Sequence, residues 1–216
     1  MSVHAVRASA VILGLTLSSS LAVAAPGPRD QGAQLPPGVY PGAHDLRQAP
    51  TGKYALDPNH AAIIARVSHL GYSYSVFRFD RVQGALTWNA AAPARSGLSA
   101  TVKTGSIATN VPGFAAELAG VQYLKSAAFP DATFLSTAFR KTGPTQGKVD
   151  GQFTLMGKTR PVTFDVVLVG AGKGFGGHPR IGVEARANIK PKDFGLPPLL
   201  GDSIEIVIDT EFEQQP

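Results

Sequence analysis

One short segment, Gly151 to Val166, constrains the fold of this chain more than any other. Apolar residues stand at every second position on both sides of a glycine, Gly157. They are Phe153 and Leu155 before that glycine and Val162, Phe164 and Val166 after it. Successive side chains of a β-strand point to opposite faces, so this pattern puts one apolar face on each of two strands. The segment therefore predicts a half-buried antiparallel hairpin joined by a tight glycine turn.

The same alternation recurs along the chain after residue 51. The strands that it predicts cover residues 63–69, 76–80 continuing into 84–88, 98–104, 133–139, 148–156, 161–169, 181–189 and 203–212. Sheets of about eight strands close on themselves, which removes their edges and leaves an interior wide enough for one small ligand. We therefore predict an all-β fold, a single extended antiparallel eight-stranded barrel.

One segment, Pro112 to Lys125, breaks the alternation. Its apolar residues Phe114, Leu118, Val121 and Leu124 follow helical spacing, and Pro112 stands near the start. The pattern predicts one short helix near one end of the barrel. The helix either plugs that end or packs on the outer wall, and the sequence favours neither.

The first 50 residues are predicted to lie outside the barrel. Residues 1–25 have a basic start, an apolar run and a small-residue end, which is typical of a cleaved secretory signal peptide and predicts a periplasmic protein. Residues 26–50 are rich in Pro and Gly and have few large apolar side chains, so we expect a loosely packed arm or linker. The barrel domain is then expected over residues 51–216.

Composition excludes several classes of function. The chain has no cysteine, so it has no disulfide, thiolate metal site or thiol nucleophile. Its 20 Lys and Arg against 15 Asp and Glu are scattered without a run, so we expect no nucleic-acid partner. The positive balance suits a transient attraction to anionic lipid head groups at a membrane surface, or a solvated surface without a role.

Several motifs, in order from Tyr54 to Phe212, resemble those of the YceI-like family of bacterial lipocalin-like barrels, which bind polyisoprenoid lipids. The first two are Tyr54-x-x-Asp57-Pro58-x-His60 and Ile63-x-Ala65-x-Val67-x-His69-Leu70-Gly71. The others are Ser106-Ile107-x-Thr109, Tyr123 to Pro130 with Phe134-x-Ser136-Thr137, the hairpin above, and Asp193-Phe194-Gly195. The chain departs from the family at three positions, where Ala65 replaces Phe, Phe77 replaces Gly and Pro191 replaces Arg.

The resemblance implies a lipocalin-like barrel with an apolar tunnel for a long isoprenoid, an isoprenoid quinone or a similar amphiphile. We expect no cofactor other than that bound lipid or quinone. Family members are often dimers, which leaves a homodimer open. With the tunnel supplied by the resemblance, the alternation predicts these lining residues: Ile63, Ala65, Val67, Phe79, Leu86, Trp88, Val102, Phe134, Phe153, Leu155, Phe164, Val183 and Ile206. The polar end of the ligand is expected at a mouth formed by His60, His69 and Lys192.

Catalytic and metal chemistry have little support in the sequence. His60 and His69 could form a paired imidazole site, but no third metal ligand is evident, and a structural pair at the barrel end is favoured. Asp57 could orient His60 through a local turn, and Ser106 could complete a Ser-His-Asp set, although the chain has no G-x-S-x-G elbow. We therefore predict a carrier of lipid that is not an enzyme and holds no metal. The alternatives are a stress-protective, partner-binding barrel without a ligand and a small hydrolase.

Overall fold

The computed structural model describes residues 35–216, which consist mainly of β-strands. The ten strands are β1 (Gly52–His69), β2 (Ser73–Phe79), β3 (Val82–Trp88), β4 (Gly97–Lys103), β5 (Ile107–Ala108), β6 (Asp131–Lys141), β7 (Gln146–Leu155), β8 (Lys158–Lys173), β9 (Pro179–Ile189) and β10 (Ile204–Gln214). The two short α-helices are α1 (Phe114–Ala119) and α2 (Pro191–Phe194). Single 3-10 turns cover Leu46–Gln48, Pro93–Arg95, Thr104–Ser106, Phe175–Gly177 and Pro198–Leu200. Within residues 35–216, no helix is long and apolar enough to cross a membrane.

Eight of these strands close into an antiparallel barrel. Neighbouring strands pair in the order β10-β9-β8-β7-β6-β4-β3-β1, and a further pairing of β10 with β1 closes the ring. The long strand β1 pairs with β3 through its first residues and with β2 through its second half, and β2 in turn pairs with β5. The predicted eight-stranded barrel is therefore confirmed, with β2 and β5 as an extension of its wall.

The hairpin that dominates the sequence forms as predicted. Leu155 pairs with Lys158, so the loop between β7 and β8 has only the two residues Met156 and Gly157. Both have positive φ, 49° at Met156 and 72° at Gly157. These are the angles of a type I′ turn, whose twist matches that of the flanking strands. The turn therefore holds the register that points Phe153 and Val162 into the barrel.

The strand pairings define two ends of the barrel. At the first, which we call the hairpin end after the β6–β7 hairpin, β6 leads into β7 through residues 142–145, and β1 and β4 begin. The β7–β8 turn at Met156 and Gly157 lies at the opposite end. At the second, the helix end, β1 turns into β2, and α1 and α2 lie in the connections that follow β5 and β9. The interior side chains between these ends form the main apolar core.

Helix α1 is shorter than the predicted helix. It covers only Phe114–Ala119, and Gly120 ends it in extended backbone with its amide donating to the Glu117 carbonyl. Leu118 is buried and Phe114 packs against Phe77 with ring centroids 6.1 Å apart, but Val121 is 81% exposed. The expectation that Val121 belongs to the apolar face was therefore wrong, because the chain leaves the helix before that residue.

Part of the predicted arm packs against the barrel. The amides of Ala43 and Ala171 each donate to the other's carbonyl at 2.8 Å. Ala49 is fully buried, and its carbonyl accepts a hydrogen bond of 3.1 Å from the indole Nε1 of Trp88. Residues 35–50 thus belong to the same compact unit as the strands, although their composition indicated a loose linker. Small side chains allow this docking, since Gly42 lies directly against Gly170.

The predicted signal peptide, residues 1–25, and the first part of the arm, residues 26–34, lie outside the described residues.

Candidate functional site

The barrel encloses a cavity of about 300 Å³. Its wall is almost entirely apolar and is built from side chains of all eight barrel strands. Every apolar residue predicted from the sequence lines it except Val67; these are Ile63, Ala65, Phe79, Leu86, Trp88, Val102, Phe134, Phe153, Leu155, Phe164, Val183 and Ile206. A volume of this size is at the lower end of the range for small-molecule sites.

Val67 faces a second, smaller cavity of about 50 Å³ at the helix end. Leu118 of α1 and Phe77 of β2 contribute to its wall. Ala65 and Phe79 line both cavities, so the two spaces are adjacent. Helix α1 therefore covers the helix end of the barrel, which is the plugging arrangement that the sequence had left open.

Several residues that line the cavity were not predicted. Leu56 and Phe139 are examples. Irregular registers, between Leu56 and Ala61 in β1 and between Ser136 and Ala138 in β6, shift the alternation by adding residues to one strand of a pair. Simple alternation fails across such a bulge. The one signal in the sequence is that the apolar positions change from even to odd residue numbers along the strand, as from Phe134 to Phe139.

Aromatic rings give the cavity wall a defined shape. Phe134 meets Phe164 edge-on with centroids 5.1 Å apart, and Phe153 meets Phe194 of α2 in the same way at 5.4 Å. Edge-to-face packing is a preferred geometry for aromatic pairs. The Trp88 ring is oriented by its hydrogen bond to the Ala49 carbonyl. These contacts fix the positions of the rings in the cavity wall.

The polar residues of the cavity differ from those that the sequence predicted. His60, His69 and Lys192 do not line it. His69 ends β1 at the helix end and is exposed, and Lys192 is an exposed residue of α2. The polar residues that do line the cavity at the hairpin end are Arg140, Lys141, Thr145, Gln146 and Lys148. The structure therefore places none of the three residues predicted for the mouth in the cavity wall.

His60 belongs instead to a charged cluster on the outer wall. Its Nδ1 lies 2.8 Å from Asp57 Oδ2, and the Asn59 amide donates to Asp57 Oδ1 at 3.0 Å. Arg180 Nη1 donates a hydrogen bond of 2.7 Å to the same Asp57 carboxylate and one of 2.8 Å to Glu211 Oε2. Its Nη2 donates to Glu213. The local turn proposed for Asp57 and His60 is present, with Arg180 as a partner that the sequence did not indicate.

Arg180 determines the electrostatics of this cluster. Burial by itself would raise the pKa of Asp57, but the hydrogen bonds from Arg180 and His60 outweigh it and lower the pKa to about 2. Asp57, His60 and Glu211 could each present one ligand atom to a metal ion, with these atoms within 4.8 Å of one another. The Arg180 guanidinium donates to the carboxylates of both Asp57 and Glu211, and its positive charge offsets their negative charge.

Ser106, the third member of the hypothetical catalytic set, makes structural hydrogen bonds. Its hydroxyl donates to the Lys103 carbonyl at 2.6 Å and accepts from the Arg81 amide at 3.0 Å. These bonds tie the end of β4 to the start of β3 at the helix end.

Residues 54–212 match the family model described as the YceI-like domain. The chain belongs to the YceI-like family. Protein YceI of Salmonella arizonae is 35% identical over 172 residues, which cover 77% of this chain and 90% of that protein.

Solved structures share the fold at low sequence identity. BcnA of Burkholderia cenocepacia superposes with a TM-score of 0.65 at 19% identity, over 72% of this chain and 98% of that one. A polyisoprenoid binding domain from Saccharophagus degradans, implicated in plant cell wall breakdown, has a TM-score of 0.58 at 14% identity, over 75% of this chain and 98% of its own. The YceI-like barrel predicted from the motifs is therefore confirmed.

Proposed function

We propose that this YceI-like protein binds an amphiphile with a long apolar chain, of the isoprenoid or isoprenoid quinone class, inside the barrel. The observation that carries the proposal is the cavity of about 300 Å³ with an almost wholly apolar wall. The Saccharophagus relative of the same fold, which is a polyisoprenoid binding domain, supports the choice of an isoprenoid chain. The alternative of a filled barrel without a ligand does not account for this cavity.

Burial of the chain supplies the binding free energy. Each CH₂ group removed from water contributes about 0.8 kcal/mol, so ten carbons contribute about 8 kcal/mol. That amount corresponds to a micromolar dissociation constant before the entropy of ordering is subtracted. The smaller cavity beside Ala65 offers further apolar wall to a longer chain.

We propose binding without catalysis. A hydrolase would need a nucleophile, a base and an oxyanion site that converge on the substrate. Within the described part of the chain, the middle of the cavity presents aliphatic and aromatic side chains, and the His60 cluster lies on the outer wall. We assign no catalytic residue and no cofactor to this protein.

The single tryptophan provides a direct test, because Trp88 lines the cavity. Titration with the C20 alcohol geranylgeraniol should shift Trp88 fluorescence saturably, with micromolar or tighter affinity. The C5 alcohol prenol should bind at least about tenfold more weakly, since it buries far fewer carbons. If geranylgeraniol produces no saturable change, and native mass spectrometry of protein purified from its own cells shows no lipid, the proposal fails.

We also propose that the protein acts in the periplasm after removal of a signal peptide. The support is the sequence pattern of residues 1–25. The exported protein should begin at Ala25 or Pro26, which its intact mass measures. Exported protein that retains residues 1–24 would contradict the proposal. A homodimer and contact with a membrane surface stay predictions.

A further inference from the structure

The most exposed apolar side chains of this protein lie at the helix end of the barrel. Among the side chains that the structure describes, four large apolar ones are at least 70% exposed: Leu70, Tyr72, Val121 and Leu199. Leu70 and Tyr72 lie in the β1–β2 turn, Val121 follows α1, and Leu199 lies in the connection between β9 and β10. Single exposed apolar residues are normal on a protein surface, but these four come from three loops at one end. We call them the tip residues.

The three loops surround the small cavity at this end. Val67 near the end of β1, Leu124 after α1 and Leu200 before β10 line that cavity together. Each of them lies within three residues of a tip residue and packs in the main apolar core. Every loop is thus anchored by a side chain that points into the barrel, and it presents another apolar side chain to the outside. The tip residues therefore share one surface.

Hydrogen bonds already satisfy backbone amides of these loops. In the β1–β2 turn, the Tyr72 amide donates to the His69 carbonyl at 3.0 Å. After α1, the Lys125 amide donates to the Gly120 carbonyl at 2.9 Å. An amide that is bonded within the protein loses little when it leaves bulk water, whereas an unpaired amide would lose several kcal/mol in hydrocarbon. The loops are therefore suited to a surface that is less polar than water.

The conformation of Leu70 does not account for its side chain. Its φ is 53°, in the left-handed region that favours Gly or Asn. A polar residue at this position would form the turn with less strain and would not expose an apolar side chain to water. Folding alone therefore gives no reason for leucine at the tip of this turn.

Basic side chains surround the tip residues. Five exposed cations lie at this end, and within residues 35–216 none of them has an ion-pair partner within 4.0 Å: Lys125, Lys158, Arg160, Lys190 and Lys192. Against these five, the connections at this end contribute three acidic residues, Glu117, Asp193 and Asp202, which leaves a net charge of +2. The Lys158 ammonium lies close to Gly195, the residue that ends α2. The charge complements an anionic partner.

We propose that the helix end of the barrel docks on an anionic lipid bilayer. The tip residues enter the head-group region, and the lysines contact lipid phosphates. Exposed Leu and Tyr side chains with lysines beside them are the composition that protein segments show at this depth of a membrane. The proposal concerns the outside of the barrel and goes beyond the proposed function, since it does not depend on which chain the cavity holds.

Vesicle sedimentation tests the docking. The protein is a chain that begins at residue 26, because the apolar run within residues 1–25 would bind lipid by itself. It should bind phosphatidylcholine vesicles that contain about 30% phosphatidylglycerol about tenfold more tightly than pure phosphatidylcholine vesicles at low ionic strength. Added salt should reduce this difference.

Two double variants locate the surface. Leu70→Asn/Val121→Thr removes two tip residues, and Asn suits the left-handed backbone at position 70. Leu135→Thr/Val169→Thr is the matched control, since both residues are exposed on the outer face of the barrel strands. The tip variant should bind the anionic vesicles about tenfold more weakly, because fewer apolar groups leave water, and the control should bind as the wild type does. Both should unfold within about 2 °C of the wild type.

A fluorescence measurement reports insertion directly. The emission of the Tyr72→Trp variant should move to shorter wavelength when anionic vesicles are added, because the new ring enters a less polar region. The Leu135→Trp variant carries its additional ring on the outer wall and should show no such shift. Trp88 contributes equally to both spectra, so the difference between them belongs to the substituted positions.

The outcomes that overturn the inference are distinct from failure of the proposed function. Docking is wrong if the wild type binds no vesicle, if the tip variant binds as tightly as the wild type, or if Leu135→Trp shifts as Tyr72→Trp does. Light scattering that shows a wild-type dimer and a monomeric tip variant, without vesicle binding, would assign the surface to a second copy of the chain. Titration with geranylgeraniol needs no vesicles, so its failure would remove the proposed function and leave the docking result unchanged.

Discussion

At the helix end of the barrel, Phe194 and Leu118 are almost fully buried, whereas at the hairpin end Lys141 and Gln146 are exposed on the rim of the cavity. One end is closed by side chains of two short helices, and the other is framed by a strand turn and by the docked residues before β1. The two ends of the cavity therefore differ in polarity. An apolar cap can seal around a chain end, and a polar rim can leave a head group in water.

The largest expected effect tests the closed end. Phe194 is 2% exposed, and its ring packs edge-on against Phe153 in the cavity wall. Phe194→Ala should lower the free energy of unfolding by about 3–5 kcal/mol, because it removes a buried ring and leaves a cavity. Denaturant unfolding measures the change. Leu199→Ala in the same connection, at a residue 70% exposed, is the control and should change the stability by less than about 0.5 kcal/mol.

The second prediction tests the packing of the arm at the hairpin end. A chain that begins at residue 51 lacks the Ala49 carbonyl that accepts from Trp88 and the Pro50 carbonyl that accepts from the Tyr54 hydroxyl at 2.6 Å. Buried donors without partners cost about 1–3 kcal/mol each. Compared with a chain that begins at residue 41, its melting temperature should fall by about 5–10 °C. Equal melting temperatures would show that these contacts contribute nothing.

A substitution between the two ends should change the length of chain that the barrel accepts. Ala65 lines both cavities and pairs with Ile206 of β10. Ala65→Phe should place a ring between the two spaces and weaken binding of geranylgeraniol by about tenfold, a loss of about 1.4 kcal/mol, with a smaller loss for a C10 alcohol.

The matched control for this change is Ala85→Phe, which adds the same ring at an exposed position of β3. Its affinities should equal those of the wild type. If Ala65→Phe binds both alcohols as the wild type does, then the chain does not pass Ala65.

The smallest effect concerns the outer wall, where acid should weaken the Arg180 cluster. The pKa of Asp57 is about 2 in the folded protein, below its usual value near 3.9, so the carboxylate stabilises the fold above pH 4. This contribution, about 1 kcal/mol after allowance for screening, should disappear as the pH falls from 4 to 2. Arg180→Gln should lose it at pH 7 and show a weaker dependence on pH in that window. Parallel stability profiles for the two proteins would contradict this assignment.

Much of the fold and of the cavity wall could be predicted from the sequence, whereas the polar rim could not. Ile63, Phe164 and Ile206 follow strict alternation inside regular strands. This alternation is a property of the strand itself and does not depend on which strand it pairs with. Lys141 lies beyond the bulge of β6, where alternation counted from Phe134 would turn its side chain outward. His60 was misplaced for a similar reason, since it lies within the irregular register of β1.

The sequence by itself determined the family, the closed antiparallel barrel and most of the apolar positions that face its interior. These follow from the period of two and from turn residues such as Gly157, which act within a few residues of the chain. Only the tertiary structure decided that α1 covers the helix end of the barrel, that residues 43–50 dock on the strands, and that Arg180 joins Asp57 to Glu211 across three strands. Those features depend on register and bulges between segments far apart in sequence, and no local pattern encodes such pairing.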